Sequence, residues 1–447
     1  MRTAPDALRH DFRGDIIEPG DPEYAEASRT VLATGSPERV LRAMSVGDAQ
    51  AAVAFAAAAG QTLAVRGGGH SFSGFGTTDT GTVVDLRDLD HVEVVDLERR
   101  LVRVGGGATW GQVCDALARH GLAISSGDTR GVGVGGLTLS GGIGWKVRKH
   151  GLALDSLVAA EVVTADAHLR RVSAEEHPDL FWALRGGGGN LGVVTSFEFV
   201  AQPTTEVFFG ALAFPATEAG TVLQGLADYM RTAPEEVTAN VVLANPFAGG
   251  PEAPVDIHVA FDGDDPALSA LALDPIRGLG TLLSDSVGLR PYGDILEEGV
   301  VPPPGIELWT RSAFVERDAV SDALAVLAGV ATSERPPVVN LRTVGGAVSR
   351  VDAQATAYAH RAAELMVATT LIGPGPVVNG ARPALDAVWR SLAPHTCGAY
   401  ANFLSEADEQ DVAAVYPDQT YRRLAAVKGE YDPHNLFARN HNIRPAT

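Results

Sequence analysis

The sequence predicts an α+β protein built in two parts, with one domain interrupted by another. Residues 1–203 form the first domain, 204–399 an inserted antiparallel-sheet domain, and 400–447 a return to the first. Three observations predict this. Three Gly-rich loops, each next to a strand, fall within the first 200 residues. After Pro203 the character changes to alternating segments such as VDIHVAFDG and PPVVNLRTV, without a loop of comparable glycine density. The end of the chain is again dense in motifs, with AYANFL followed by YRRLAAVKGEYDPHNLFARNHNI.

The elements follow in order. SVGDAQAAVAFAAAA at 45–59 reads as a helix opened by a Ser/Asp cap and closed by Gly60. TLAVR at 62–66 is a short buried strand running into GGGHSFSG. TVVDL, HVEVVD and LVRVGGG read as three more strands. ATWGQVCDALARHG at 108–121 is an amphipathic helix with Trp110, Val113, Cys114 and Leu117 on one face. Residues 131–144 contain seven glycines in fourteen positions, a density that argues against a helix or sheet interior there. Residues 157–173 read as a hairpin, and 177–199 as a short helix, a Gly loop and a strand. Further helices are expected near 217–231 and 318–330.

Composition narrows the function. A 45% hydrophobic, 20% charged chain can bury a sizeable core. The net charge of -20 argues against nucleic acid and against an anionic membrane as partner. Two cysteines, Cys114 and Cys397, make neither a disulfide framework nor a metal-type spacing. The N-terminus lacks an apolar signal region and no run of about 18 apolar residues exists, so a soluble cytoplasmic protein is expected. Lysine at only positions 146, 149 and 428, beside abundant Arg and Ala, hints at a GC-rich bacterial genome. Oligomeric state is not legible.

The glycine clusters carry the chemistry. RGGGHS at 66–71 follows a strand, so its N–H groups can converge on an anion such as a pyrophosphate. It is not the Rossmann fingerprint, which needs a following helix and a ribose-binding acid. SGDTRGVGVGGLTLSGGIGWKVRKHGL at 126–152 interleaves Val, Leu, Ile and Trp with glycine, unlike a flexible linker. LRGGGGNLGVVT at 184–195 is equally dense. Together they suit one extended ligand of dinucleotide size.

These motifs resemble the flavin oxidases with a vanillyl-alcohol-oxidase-type FAD domain, in the berberine-bridge-enzyme branch. RGGGHS, GVGGLTLSGGIGW, RKHGLALD, HPDLFWALRGGGGNLGVVT and YDPHNLFARNHNI carry the resemblance at both ends of the chain. The middle third matches only through GGAVSRV and ATAYAHR. The resemblance implies FAD held by a covalent bond to His70, with Arg66, Gly67, Gly68, Gly69 and Ser71 around the pyrophosphate. It implies Thr129, Val132, Gly133, Gly135, Gly136, Gly141 and Gly142 along the flavin and phosphates, and Val193 on the adenosine side. Asn440 and Asn442 would close over the flavin from the C-terminus, and Asn402 is a further cofactor-binding candidate. Some relatives carry a second flavin bond from a Cys at the position of Thr129, so a single bond is expected here.

The resemblance further implies hydride transfer from a small-molecule substrate and reoxidation by molecular oxygen, giving hydrogen peroxide. Tyr400 in AYANF is the candidate base, with a packed core Tyr as the alternative. Tyr358 in ATAYAHR is a second candidate. Trp145 could flank the flavin, and a core Trp is the alternative. His360 and Arg361 are expected at the solvated surface, and His395 and His441 offer no basis for choosing. The substrate is open among an alcohol, a sugar or a secondary-metabolite intermediate. An amine of the 6-hydroxynicotine kind, a dehydrogenase that ignores oxygen, and a carrier flavoprotein without turnover are the competing readings.

Overall fold

The computed structural model describes residues 4–204, 206–244, 253–299, 301–331 and 337–446. Its first helix of consequence, Val46–Ala59, has both ends encoded locally. Ser45, in extended backbone, accepts from the Asp48 N–H, and Gly60 takes the left-handed conformation at φ 61. The helix connects strands of a four-stranded sheet ordered Asp15–Ile17, Arg39–Arg42, Thr82–Asp85, Leu63–Arg66, the last three parallel. Val40, Leu41, Ala64, Val83 and Val84 are wholly buried, as parallel strands covered on both faces require.

A five-stranded antiparallel sheet follows, in the order Val92–Asp96, Leu101–Gly105, Val193–Val200, Leu157–Val163, Leu169–Ser173. The expected 157–173 hairpin is its outer pair. The helix Trp110–Ala118 starts with a capping box between Thr109 and Gln112 and buries its apolar face.

The glycine-dense stretch differs from its expectation. Val134–Ser140 is helical, with Val134, Leu137 and Leu139 buried. Gly135 sits where a Cβ would lie 3.3 Å from the Gly106 carbonyl, so packing against neighbouring backbone selects glycine over helix propensity. The helix stops at Gly141, at φ 138.

The third sheet is antiparallel, as its alternation predicted. Its long strands run Glu206–Phe214, Val255–Phe261, Val237–Leu243, Val338–Thr343, Ala363–Pro374, Ile306–Glu316. One face packs on helices Ala219–Met230, Pro266–Arg277, Val320–Ala331 and Gly375–Leu392. The sequence reading found the first and third of these. The other two carry Pro275 and Pro383 inside them, which masked the helical pattern. The opposite face of the sheet turns toward the glycine loops. Among the described residues, no helix is long and apolar enough to cross a membrane.

Candidate active site

Strand Leu63–Arg66 delivers the RGGGHS loop. Arg66 is turned inward: its guanidinium meets the buried Asp85 carboxylate at 2.7 Å and the Arg29 carbonyl at 3.0 Å. It therefore anchors the loop to the sheet. A Cβ on Gly68 would lie 2.3 Å from the Gly133 nitrogen, so two glycine loops meet backbone to backbone. His70 is half-buried beside Gly131, whose carbonyl accepts from the imidazole. Burial holds the His70 pKa below its ordinary value, which favours the neutral imidazole with a lone pair. The Ser71 hydroxyl accepts from the Phe75 N–H at 3.4 Å and shapes the following turn.

Thr129 stands next to this pair. Its strand-like segment pairs with Glu297: Arg130 N–H donates to the Glu297 carbonyl at 2.8 Å, and Glu297 N–H to the Asp128 carbonyl at 2.7 Å. A Cβ on Gly299 would lie 3.9 Å from His70 Cε1, so this segment covers the histidine. Cys114 packs instead with Trp145 and Tyr292, where burial pushes its thiol up to about 11. Cys397 pairs through its backbone with Phe314.

The Gly141–Gly142 turn forms the second wall. A Cβ on Gly141 would lie 3.1 Å from the Tyr400 ring and 3.2 Å from that of Tyr358. The Tyr400 hydroxyl oxygen accepts from the Gly142 N–H at 3.0 Å and from the Asn402 amide at 3.1 Å. Ser312 pins the Tyr400 backbone on both sides. Burial lifts the Tyr400 pKa, while the Asn402 and Gly142 hydrogen bonds and the charge of Arg342 pull it back. Tyr358 is buried too and its pKa lies well above the usual value, chiefly through burial. Phe72 packs on Phe403, and Phe403 on Tyr400, each at 5.6 Å between ring centres. The Ser73 hydroxyl donates to the Leu404 carbonyl at 2.6 Å. These contacts join the His70 loop to the Tyr400 segment.

The C-terminal segment closes the third side. Lys428, with no exposed surface, donates to the carbonyls of Asn190 at 2.9 Å and Phe437 at 2.8 Å and pairs with Asp432. The Asn190 amide donates to the His441 carbonyl, and its oxygen accepts from the Ile443 N–H. Asn440 is thereby set beside Gly189, and the Oδ1 atoms of Asn440 and Asn442 are each buried without a partner. Gly189 of that loop is exposed beside Asn440. Unpaired acceptors beside bare glycine backbone fit a bound dinucleotide.

Other predicted residues lie differently. Val193 is wholly buried in its strand. Trp145 is a packed core side chain, edge-on to Phe209 at 4.9 Å. His360 and Arg361 are not at the surface. His360 stacks on Phe314, its Nε2 atom 3.2 Å from the Val415 carbonyl. Arg361 makes a two-pronged, buried pair with Asp155, both bonds 2.8 Å, and lies over the Tyr358 ring. Asp155, distant in sequence, supplies the charge that lets Arg361 be buried. His395 lies near Asp322 on the outside, and His441 is buried edge-on to Phe75. Sequence reasoning missed Asn190, Lys428 and Arg342. The spacing of Lys428 to Asp432, four residues apart, was the available signal for one of them.

Known proteins share this fold. The FAD binding domain family matches residues 37–173, and the berberine and berberine-like family matches 399–444. (R)-6-hydroxynicotine oxidase of Paenarthrobacter nicotinovorans is 31% identical over 429 residues, covering 92% of this chain and 91% of that protein. The chain belongs to the berberine-bridge-enzyme-like FAD-linked oxidases. Xylooligosaccharide oxidase of Thermothelomyces thermophilus is a further member, 31% identical over 450 residues, 92% of this chain and 88% of that one. The crystal structure of 6-hydroxy-D-nicotine oxidase from Arthrobacter nicotinovorans superposes with a TM-score of 0.86 at 29% identity, covering 97% and 98% of the two chains. As a berberine-bridge-enzyme-like protein the chain is an FAD-dependent oxidoreductase.

Proposed function

We propose that this berberine-bridge-enzyme-like protein is an oxidase that carries FAD on a single covalent bond to His70 and oxidises a polar small molecule. The hydrogen-bonded Tyr400 hydroxyl, fixed between Gly142 and Asn402 and joined to the His70 loop through Phe403 and Phe72, is the observation that carries the reading. Bound FAD supplies a two-electron acceptor that takes hydride from a substrate carbon and passes electrons to molecular oxygen, giving hydrogen peroxide. His70, the loop Gly67–Ser71, the stretch 129–136, the turn Gly141–Gly142 and Asn440 and Asn442 would hold it.

The chain's own work is orientation and proton handling. Tyr400 takes the proton from the substrate hydroxyl at its phenolic oxygen. The Gly142 N–H and the Asn402 amide stabilise the charge on that oxygen, and its aromatic neighbours exclude water. Tyr358, against Gly141, borders the pocket. Relatives named for a hydroxynicotine and for xylooligosaccharides leave alcohol oxidation as the first reading and amine oxidation as the second. Anaerobic addition of alcohols, sugars and amines to the yellow holoenzyme tests the proposal. At least one should bleach the flavin, and admitting air should restore colour with release of peroxide. A flavin that no such compound bleaches would make the protein a carrier.

A further inference from the structure

The sheet face turned toward His70 carries polar side chains that the fold does not use. Across three adjacent strands His258 stands opposite Asn240, and Asn240 opposite Arg342. One row along, Asp256 stands opposite Val242, and Val242 opposite Asn340. The alternate residues Ile257, Val241 and Leu341 are buried in the core on the other face. His258, Asn240, Asp256 and Asn340 are each half-buried, and among the described residues none of their side chains makes a hydrogen bond. Polar groups held half out of water by a rigid sheet, without partners, are the groups that a ligand completes.

The row is tied to the catalytic pocket through Arg342. The Arg342 guanidinium lies 5.1 Å from the centre of Phe403, the ring that stacks on Tyr400. Arg342 also pairs with Asp128 at 2.5 Å, next to Thr129. Glu297, exposed at the rim, pairs through its backbone with the same segment. Asp128 meets the charge of Arg342, which leaves His258 as the one imidazole acting on both the Asp256 and Glu297 carboxylates. Burial lifts the Asp256 carboxyl above its ordinary value and His258 pulls it back, consistent with a carboxylate short of positive charge.

We propose that this row recognises the substrate and selects a hydroxylated molecule carrying a protonated amino group. Asp256 and Glu297 are the specificity-determining carboxylates. Asn240, Asn340 and His258 supply both donors and acceptors for hydroxyls. The inference rests on the reading of the His70 pocket as the oxidising centre, and concerns only what is admitted to it.

Three probes sharing one ring and differing in charge test it: glucosamine, glucose and glucuronate. Binding to the air-equilibrated holoenzyme is followed by flavin absorbance and by calorimetry. Glucosamine should bind about tenfold or more tighter than glucose, and glucuronate weakest, as expected for a charge-assisted contact. In the double variant Asp256→Asn, Glu297→Gln, which keeps shape, glucosamine should fall to the affinity of glucose while flavin content stays unchanged. Equal binding of all three probes, no binding by any, tightest binding of glucuronate, or a preference that survives in the variant would each overturn the inference. Bleaching by neutral substrates alone would leave the oxidase reading standing and remove this one. Glucosamine bound selectively by an enzyme that no substrate bleaches would do the reverse.

Discussion

The hydroxyl oxygen of Tyr400 sits 3.0 Å from the backbone nitrogen of Gly142, accepting its N–H from a turn that only glycine can make. Gly142 has φ 91, and a Cβ there would lie 2.4 Å from that of Ala153. The turn thus aims a backbone donor at a phenol, and Asn402 adds a second. Tyr400→Phe should keep the packing and lose the oxygen. Anaerobic flavin reduction should fall by roughly two to four orders of magnitude, with thermal stability little changed. Stopped-flow reduction within about threefold of wild type would return Tyr400 to a purely structural role.

The same contacts set a pH dependence. Burial raises the Tyr400 pKa above its ordinary value of about 10, so the phenolate becomes more populated as pH rises. Wild-type flavin reduction should climb with pH across the whole neutral range, without levelling off below about pH 10. Asn402→Ala removes a hydrogen bond that lowers this pKa, so it should push the rising limb further alkaline. A limb that moves acid, or stays in place, contradicts the assignment.

His70 is half-buried against Gly131, and burial lowers its pKa, favouring the neutral form required of a nucleophilic imidazole. Acid precipitation of wild-type protein should keep the yellow colour in the pellet, and the peptide containing His70 should carry the mass of FAD. His70→Ala should bind FAD yet release it on precipitation. Colour washing out of the wild type would reduce the claim to non-covalent binding.

The sequence exposed those parts of the site whose signal is local. Ser45 and Gly60 bracket a helix within fifteen residues, and the glycines before His70 declare a tight loop. Partners distant in sequence were invisible. Arg361 reads as a surface residue until Asp155 is seen beneath it, and Lys428 as a solvated helix charge until Asn190 and Phe437 surround it. Arg342 is one outward position of an alternating strand, and only sheet order places it beside Phe403. The Val134–Ser140 helix was hidden by the opposite cause: its glycines satisfy close packing at the expense of propensity.

Val132 is half-buried and its backbone is held at both ends, by the Trp110 N–H and the Thr129 carbonyl. Its side-chain direction is therefore fixed, and added volume has to fill neighbouring space. If that space is the oxygen path, Val132→Leu should slow reoxidation by air about tenfold or more. Reduction by substrate should change by less than about threefold. Equal reoxidation rates in both forms would remove Val132 from oxygen control.

His441 yields a stability prediction with a definite sign. It is 5% exposed, edge-on to Phe75, and its Nε2 atom is buried without a partner. Burial lowers its pKa from 6.5 to about 4, with the Glu406 backbone opposing. Well above pH 6.5 neither the folded nor the unfolded chain holds a proton here, and ionisation of the group does not affect stability. Between pH 6.5 and 4 the unfolded chain binds a proton that the folded chain refuses, so stability falls as pH falls. Below pH 4 both states are protonated and the loss stops growing. The full difference is about 3 kcal/mol, of which about 2 kcal/mol appears by pH 5. His441→Gln removes the titration and leaves a polar side chain of similar reach. Urea midpoints of both holoproteins at pH 7 and pH 5 separate the effects, because every other titrating group is shared. The wild type should lose about 2 kcal/mol more than the variant over that interval. Parallel losses in the two proteins would show that His441 takes up its proton as readily folded as unfolded.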